Sequence, residues 1–299
     1  MADVGFVGLG AMGGRMAGRL LGSHRVHGWN RSAVKAEGLI RDGLIWCDSP
    51  RQVAEAARVI FTMVTDGPAL TAIVCGPDGI LAGLRPGGIV VDLSTIGPDT
   101  ATEIGEWVAE RGGRMVSAPV AGTITAAADG TLVIMAGGPP DTVAAVQPLL
   151  GQLARRVVPL GTQAQAVTLK LAINLNLAAQ MLAFSEGLVL AEQAGVEPAL
   201  AANVLVDSAI GSVALWRRAP LMLDLPDEPW FDIRSMIKDI LLAQDVARCH
   251  GVTADTATAV ENALERAAEQ GYSRRDIAAL YTALRERTPI GNRLPTPRP

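Results

Sequence analysis

The fold is decided by Val4-Gly5-Phe6-Val7-Gly8-Leu9-Gly10-Ala11-Met12-Gly13, close to the start of this 299-residue chain. The apolar beginning of this stretch, residues 4–9, predicts a buried β-strand, and its glycines predict a tight turn directly after that strand. Residues 12–21 then carry apolar side chains at helical spacing, so a helix should follow the turn. A strand, a glycine turn and a helix in succession form the first half of a βαβ unit.

The same alternation continues through the first half of the chain. It predicts an α/β domain with a Rossmann-type, doubly wound and mainly parallel sheet that has helices on both faces. The predicted strands are residues 4–9, 25–29, 59–64, 89–93, 114–117 and 131–136. The predicted helices are residues 12–21, 33–42, 50–57 and 99–111.

The sequence pattern changes near Gly161, after which long helical periods replace the strands. We therefore expect a dinucleotide-binding α/β domain over residues 1–162 and an all-α domain over residues 163–299. The predicted helices of the second domain are residues 168–194, 233–250, 255–270 and 274–287. The tail from about residue 288 should be extended or disordered because it is rich in proline. Its prolines are Pro289, Pro295, Pro297 and Pro299.

The composition argues against several classes of protein. Apolar residues make up 49% of the chain and charged residues 19%, so the chain can bury a core and is not of the disordered class. A net charge of −4 and the lack of any basic run argue against nucleic acid or an anionic membrane as a partner. Residues 171–196 form the most apolar long segment, but polar side chains interrupt it, so we expect no transmembrane helix.

The cysteines and histidines are few and scattered. They match no disulfide framework, no metal site and no nucleophilic triad, so we expect no metal cofactor. The N-terminal residues do not resemble a signal peptide, and we expect a cytoplasmic protein. The residues concerned are Cys47, Cys75, Cys249, His24, His27 and His250.

A GxGxxG pattern lies between the first predicted strand and helix. It consists of Gly8, Leu9, Gly10, Ala11, Met12 and Gly13. In this context the glycines allow a tight turn and close approach of the backbone, while N–H groups at the helix N-terminus face a pyrophosphate. We therefore predict that these residues bind a dinucleotide.

The residues after the second strand predict which dinucleotide is bound. An acidic residue there would accept hydrogen bonds from the ribose of NAD, whereas this chain has Asn30-Arg31-Ser32 and then Lys35. A guanidinium fork and a hydroxyl suit the 2′-phosphate of NADP, so NADP(H) is the predicted cofactor. Thr65, Ser94 and Thr95 end further strands, where they either line the same site or cap the next helices.

Five motifs recur in the order that is typical of one family. They are GFVGLGAMGGRMAGRL (5–20), VDLSTIGPDTA (91–101), SAPVAG (117–122) with GTLVIMAGG (130–138), TLKLAIN (168–174) and FDIRSMIKDILLA (231–243). With them the chain resembles the β-hydroxyacid dehydrogenase family over nearly its whole length. That family includes 3-hydroxyisobutyrate dehydrogenase, tartronate semialdehyde reductase and glyoxylate/succinic semialdehyde reductases.

The resemblance implies a homodimeric or homotetrameric enzyme that transfers hydride between NADP(H) and a small substrate, a semialdehyde or 3-hydroxy acid. It implies that Lys170 is the catalytic lysine and that Asn174 helps to hold the substrate. The further cofactor contacts that it implies are Val64, Thr65, Thr95, Lys238 and Asp239. The further substrate contacts are Ser94, Ala121, Gly122 and Thr123.

The chemistry of reduction is consistent with a lysine at position 170. Reduction of an aldehyde forms an alkoxide, which takes up a proton that lysine can donate and arginine cannot. The chain has only three lysines, Lys35, Lys170 and Lys238, against 23 arginines. Lys170 and Asn174 are four residues apart and so share a helix face. A lysine that extends to solvent from the edge of a core helix is the structural alternative.

The departures from the family lie at the substrate end. The family's Asp-Ala-Pro-Val-Ser-Gly-Gly becomes Ser-Ala-Pro-Val-Ala-Gly-Thr over residues 117–123, which removes a hydroxyl at Ala121 and adds bulk at Thr123. Ala164, Ala166 and Ile173 replace two glycines and an asparagine. The substrate pocket should therefore be altered and more apolar, and the substrate is not identified by the sequence.

Two other functions stay open. One is an imine reductase of the same fold, although such enzymes usually carry aspartate or tyrosine at the position of Lys170. The other is a non-catalytic NADP-binding module used for oligomerisation or sensing, because fold alone does not prove chemistry.

Overall fold

The computed structural model of the protein describes residues 1–288, which divide into two compact units. The first unit is Met1–Leu171, and the second begins at Ala172. The division falls inside helix α9 (Gln163–Gln193), so this helix contributes to both units. The prolines of the predicted tail lie outside the described residues.

One sheet of nine strands forms the centre of the first unit. The strands are β1 (Asp3–Val7), β2 (Arg25–Trp29), β3 (Ile45–Trp46), β4 (Val59–Thr62), β5 (Ile89–Asp92), β6 (Arg114–Ser117), β7 (Val120–Ala121), β8 (Leu132–Gly137) and β9 (Ala154–Leu160). Strands β3, β2, β1, β4, β5 and β6 lie side by side in that order, and all their pairs are parallel. Strand β8 is antiparallel to β6, and β9 is parallel to β8. The predicted parallel sheet is confirmed.

Helices cover both faces of this sheet. They are α1 (Ala11–Leu21), α2 (Glu37–Arg41), α3 (Pro50–Ala56), α4 (Gly67–Cys75), α5 (Ile80–Gly83), α6 (Pro98–Glu110), α7 (Ile124–Asp129) and α8 (Pro140–Leu153). Side chains alternate along β1: Phe6 packs into one core with α1 and α8, and Val7 packs into the other with α3, α4 and α6. Successive side chains of a strand point to opposite faces of the sheet, so each strand contributes to the core on both sides.

Several elements of the first unit were not predicted, namely β3, β7, β9, α4, α5, α7 and α8. Strands β3 and β7 are two residues long, which is too short for any periodicity. Strand β9 has exposed Arg155 and Arg156, and α8 contains Pro148, so neither shows a regular pattern. The predicted helix 33–42 is a 3₁₀ turn, Ala33–Ala36, followed by α2.

Strand β7 extends the line of β6 along β8. Ser117 pairs with Gly137, and Val120 pairs with Ile134 in the same antiparallel register. The predicted substrate residues 121–123 therefore lie four residues and more beyond the end of β6.

The second unit is all helical in its described part, as predicted. Besides the end of α9 it contains α10 (Pro198–Asp207), α11 (Val213–Leu223), α12 (Ile233–Cys249), α13 (Asp255–Ala267) and α14 (Ala279–Arg287). Its core joins apolar side chains of all six helices, such as Leu188, Met236 and Leu264. Helices α10 and α11 were not predicted, and α14 begins five residues later than predicted because a π-helical turn, Ala268–Tyr272, precedes it together with a non-helical segment.

By length and apolar composition alone, α9 could cross a membrane, since it has 31 residues and a mean hydropathy of 1.4 in its most apolar window. The core helices of soluble proteins have the same properties, and 39% of that window is buried within the structure. Among residues 1–288, no other helix has this length and composition.

Candidate active site

The glycine turn after β1 lies beside the end of β4. Gly8 has a φ of +98°, and a Cβ atom there would clash with the carbonyl oxygen of Met63. A Cβ atom at Gly13 would clash with the carbonyl oxygen of Gly8, so α1 can pack this closely only without a side chain. Gly10, by contrast, is exposed, and apart from its own chain neighbours no atom of residues 1–288 lies within 4 Å of a Cβ atom built there. The backbone at Gly10 is therefore open to a ligand.

The N-terminus of α1 is suited to an anion. Gly10 caps this helix without a side-chain hydrogen bond, and the first turn has no acidic residue. The first N–H groups of the helix therefore have no N-cap side chain as acceptor, and no acidic side chain of the first turn balances the positive end of the helix dipole. The strand order reverses between β1 and β4, and ligands of open α/β sheets bind at such a point. The observed turn fits the pyrophosphate of a dinucleotide.

Asn30 follows β2 and connects two turns. Its Oδ1 accepts the N–H of Leu9 at 2.9 Å, and its Nδ2 donates to the carbonyl oxygen of Ser32 at 2.9 Å. One amide therefore holds the glycine turn and the turn after β2 in a single arrangement. A direct contact of Asn30 with a cofactor stays a prediction.

The turn after β2 presents positive charge to solvent. Arg31, Ser32 and Lys35 are all exposed. Within residues 1–288, no carboxylate forms an ion pair with Arg31 or Lys35. No acidic residue occurs between Trp29 and Lys35 either. This turn is electrostatically suited to a phosphate group.

A buried polar network joins the ends of β4 and β5. Thr62, Asp92 and Ser94 are 0% exposed. The Oδ1 atom of Asp92 accepts the hydroxyls of Thr62 and Ser94, each at 2.7 Å. The Oγ atom of Ser94 in turn accepts the N–H of Val64 at 2.9 Å. The hydroxyl of Ser94 lies inside this network, and its predicted contact with substrate stays a prediction.

Sequence reasoning missed Asp92 and Thr62. The available signal was a polar residue at the end of each of two neighbouring apolar strands. Of the predicted contacts nearby, Thr65 is exposed, and Val64 and Thr95 are half-buried. All of them lie at the edge of the sheet where the parallel strands end, as does the glycine turn.

The predicted substrate residues 121–123 follow β6 by way of β7. Ala121 is half-buried and Gly122 is exposed. Thr123 caps α7, because its Oγ1 accepts the N–H of Ala126 at 3.3 Å. Thr123, which stands where the family has its second glycine, therefore serves as the N-cap of α7.

Three predicted site residues meet in the second unit. The Nδ2 atom of Asn174 donates to Asp239 Oδ2 at 2.5 Å, and the Lys238 Nζ lies 2.8 Å from Asp239 Oδ1. Asn174 is 3% exposed and Asp239 is 1% exposed, whereas the Lys238 side chain is 24% exposed. The carboxylate of Asp239 therefore contacts an amide and an ammonium group of the second unit, and its predicted contact with the cofactor stays a prediction.

A second buried network, which sequence reasoning missed, holds the segment before α12. Asp276 accepts the guanidinium of Arg218 at 2.8 Å. It also accepts the N–H groups of Trp230, Phe231 and Ala278 at 2.9–3.0 Å. Both charged groups are buried, and Asp276 accepts four hydrogen bonds, so it fixes the chain just before the helix that carries Lys238.

Lys170 lies in α9 and is half-buried. It belongs to the first unit, while Asn174, one helical turn later, belongs to the second. In the described residues, no group of three or more His, Cys, Asp or Glu side chains could hold a metal ion.

Two family models match the chain. The NAD-binding domain of 6-phosphogluconate dehydrogenase matches residues 3–161, and the NAD-binding domain of NADP-dependent 3-hydroxyisobutyrate dehydrogenase matches residues 164–284. These matches define an NAD(P)-binding oxidoreductase with a sheet domain and a helical domain. The chain belongs to the β-hydroxyacid dehydrogenase family.

The curated relatives agree with this assignment. The chain is 31% identical to glyoxylate/succinic semialdehyde reductase 1 of Arabidopsis thaliana, over 95% of this chain and 98% of that protein. It is 33% identical to 3-hydroxyisobutyrate dehydrogenase of Pseudomonas aeruginosa, over 86% of this chain and 88% of that protein.

Solved structures share the fold. Psf3 in complex with NADP⁺ and 2-OPP superposes with a TM-score of 0.86 at 28% identity, over 94% of this chain and 99% of that one. An imine reductase from Pseudomonas sp. reaches a TM-score of 0.60 at 23% identity, over 95% of this chain and 99% of that one, which shows the fold alone.

Proposed function

We propose that this chain is an NADP(H)-dependent reductase or dehydrogenase that interconverts a small semialdehyde, or a related carbonyl compound, and its hydroxy acid. Membership of the family supports an oxidoreductase that uses a nicotinamide cofactor. The observation that carries the choice of NADP(H) is the turn after β2, where Arg31 and Lys35 are exposed and no acidic residue is present.

The first unit would hold the cofactor along the edge where its parallel strands end. N–H groups of the glycine turn and of α1 would bind the pyrophosphate. Arg31 would bind the 2′-phosphate with a planar fork of donors, and Ser32 would add a hydroxyl. Val64, Thr65 and Thr95 would contact the nicotinamide end. The bound cofactor supplies or accepts the hydride.

Lys170 would supply the proton in the reductive direction. Its ammonium group can give a proton to the oxygen of the substrate as negative charge develops there, and it can take the proton back in oxidation. Asn174 would orient the substrate. Since the Asp239 carboxylate can only accept hydrogen bonds, it holds the Nδ2 atom of Asn174 and so fixes the orientation of the amide.

A substrate panel with NADPH and NADH tests this proposal. The panel contains aldehydes, ketones, 3-hydroxy acids and cyclic imines, and it is run on the wild type, Lys170→Ala and Lys170→Arg. We expect preference for NADPH and a loss of kcat by roughly 100- to 10,000-fold in Lys170→Ala, with unchanged cofactor binding. Lys170→Arg keeps the charge but should not restore turnover, because arginine does not release its proton.

Equal turnover by the wild type and Lys170→Ala would refute the role of the lysine. Turnover of imines without turnover of carbonyls or alcohols would favour an imine reductase instead. Tight NADPH binding with no turnover across the panel would favour a non-catalytic module.

A further inference from the structure

We propose that Asp92 is a positioning residue that sets the backbone of Val64 through the hydroxyl of Ser94. This inference rests on the proposed function, because it assigns the network to the nicotinamide end of the cofactor site. Neither Asp92 nor Thr62 was among the predicted site residues.

The hydrogen bonds around Asp92 have a fixed direction. The hydroxyls of Thr62 and Ser94 both donate to its Oδ1 atom, each at 2.7 Å. The Ser94 N–H adds a longer bond of 3.3 Å to the same oxygen. With its one proton given to Asp92, the Ser94 hydroxyl presents a lone pair to the N–H of Val64 at 2.9 Å.

The Val64 bond begins where the strand pairing ends. The last backbone bonds of this region are Met63 N–H to Val7 O at 3.0 Å and Leu93 N–H to Thr62 O at 2.9 Å. One residue further, the side chain of Ser94 takes the place of a strand carbonyl as the acceptor for Val64. The network therefore extends the order of the sheet by one residue toward the predicted ligand.

The position of Val64 matters because this residue and Met63 form the wall behind the glycine turn. The Cγ1 atom of Val64 would lie 3.3 Å from a Cβ atom at Gly8. Thr95, another predicted cofactor contact, directly follows Ser94. The network thus lies beside two predicted cofactor contacts, Val64 after β4 and Thr95 after β5, and it holds the first of them through a hydrogen bond.

Burial of a carboxylate is costly unless hydrogen bonds replace its water. Three donors, the hydroxyls of Thr62 and Ser94 and the Ser94 N–H, converge on Oδ1 of Asp92. An apolar side chain would fill the same space at lower cost, but it could not hold the Ser94 hydroxyl in one orientation.

Direct cofactor binding by the full-length protein tests the proposal. Dissociation constants for NADPH and NADH are measured by calorimetric titration for the wild type, Ser94→Ala and the control Ser117→Ala. Ser117 ends the neighbouring strand, is also 0% exposed, and its Oγ makes no hydrogen bond to any residue of the described range. Each substitution therefore removes one buried serine hydroxyl. The hydroxyl of Ser94 has hydrogen-bond partners, whereas that of Ser117 has none in the described range.

We expect Ser94→Ala to weaken binding of both cofactors by about tenfold, because the Val64 N–H loses its acceptor and both cofactors share the nicotinamide end. The ratio of the NADPH and NADH constants should stay within about twofold of the wild-type ratio, and Ser117→Ala should bind both cofactors as the wild type does. Asp92→Asn should weaken binding less than Ser94→Ala, since an amide oxygen can still accept.

The double variant Asp92→Asn/Ser94→Ala tests whether Asp92 acts through Ser94. If it does, the double variant binds cofactor no more weakly than Ser94→Ala, whereas two independent effects would add. Additive weakening, or wild-type affinity in Ser94→Ala with only a lower Tm, would overturn the inference. A wild-type protein that bound neither cofactor would instead overturn the proposed function, before any variant is compared.

Discussion

Replacement of Asn30 by alanine would remove the link between the glycine turn and the turn after β2. The variant loses two hydrogen bonds of 2.9 Å, one from the Leu9 N–H and one to the Ser32 carbonyl oxygen. A neutral hydrogen bond contributes about 1 kcal/mol net, so the loss of both costs at most about 2 kcal/mol. Asn30 is half-buried, and water can replace part of what is lost. We therefore expect cofactor binding to weaken by about 1.4 kcal/mol, or about tenfold.

The loss should affect NADPH and NADH alike. The Leu9 N–H belongs to the turn proposed to bind the pyrophosphate, which both cofactors carry. Arg31→Ala is the matched control on the same turn. It should weaken NADPH binding by roughly 10- to 100-fold, because a charge-assisted bond to phosphate is lost, and it should leave NADH binding unchanged.

Asn30→Asp separates the two bonds. Its carboxylate still accepts the Leu9 N–H but has no donor for the Ser32 carbonyl, and it adds negative charge beside Arg31. We expect this variant to bind NADPH much more weakly and NADH about as well as the wild type. The assay is calorimetric titration of each variant with both cofactors, together with thermal unfolding. Loss of NADPH binding alone in Asn30→Ala would refute the coupling of the turns and indicate a direct contact with the 2′-phosphate.

Two further predictions concern the second unit. Asp239→Asn breaks the ion pair with Lys238 and weakens the hydrogen bond from Asn174. We expect kcat to fall about tenfold and the free energy of unfolding, measured in urea, to fall by about 1 kcal/mol. An unchanged kcat would contradict the positioning role. Burial, followed by its hydrogen bond to Glu192, raises the pKa of Tyr281 to about 12 from 10.0. The resulting stabilisation is complete below pH 10 and is lost as the pH rises through 12. The free energy of unfolding in urea of the wild type, relative to that of Tyr281→Phe, should therefore decrease above pH 10.

Much of the fold could be predicted from the sequence because its signals are local. The parallel sheet follows from short apolar runs that alternate with helical periods, and β2, predicted over residues 25–29, is observed as Arg25–Trp29. The elements that were missed lack such a period. They are two-residue strands, an edge strand with exposed arginines, and helices that are short or interrupted by proline.

The candidate site was predictable only in part, for the same reason. The glycine turn and the cationic turn are contiguous stretches, so their chemistry is visible in the sequence. The partners of their side chains are not. Asn30 was recognised as part of a turn, but its bond to Leu9 spans 21 residues. Ser94 was recognised as a polar strand end, but its inward orientation depends on Asp92 and Val64 across two strands.

By itself, the sequence determined the α/β and helical organisation and the glycine turn, because these depend on residues close together in the chain. It also showed where the three lysines lie relative to the motifs. Only the tertiary structure decided which polar groups meet. Asp239 lies 65 residues from Asn174, and Thr62 lies 30 residues from Asp92. Such bonds are set by strand order and helix packing, since these bring distant residues within hydrogen-bonding distance.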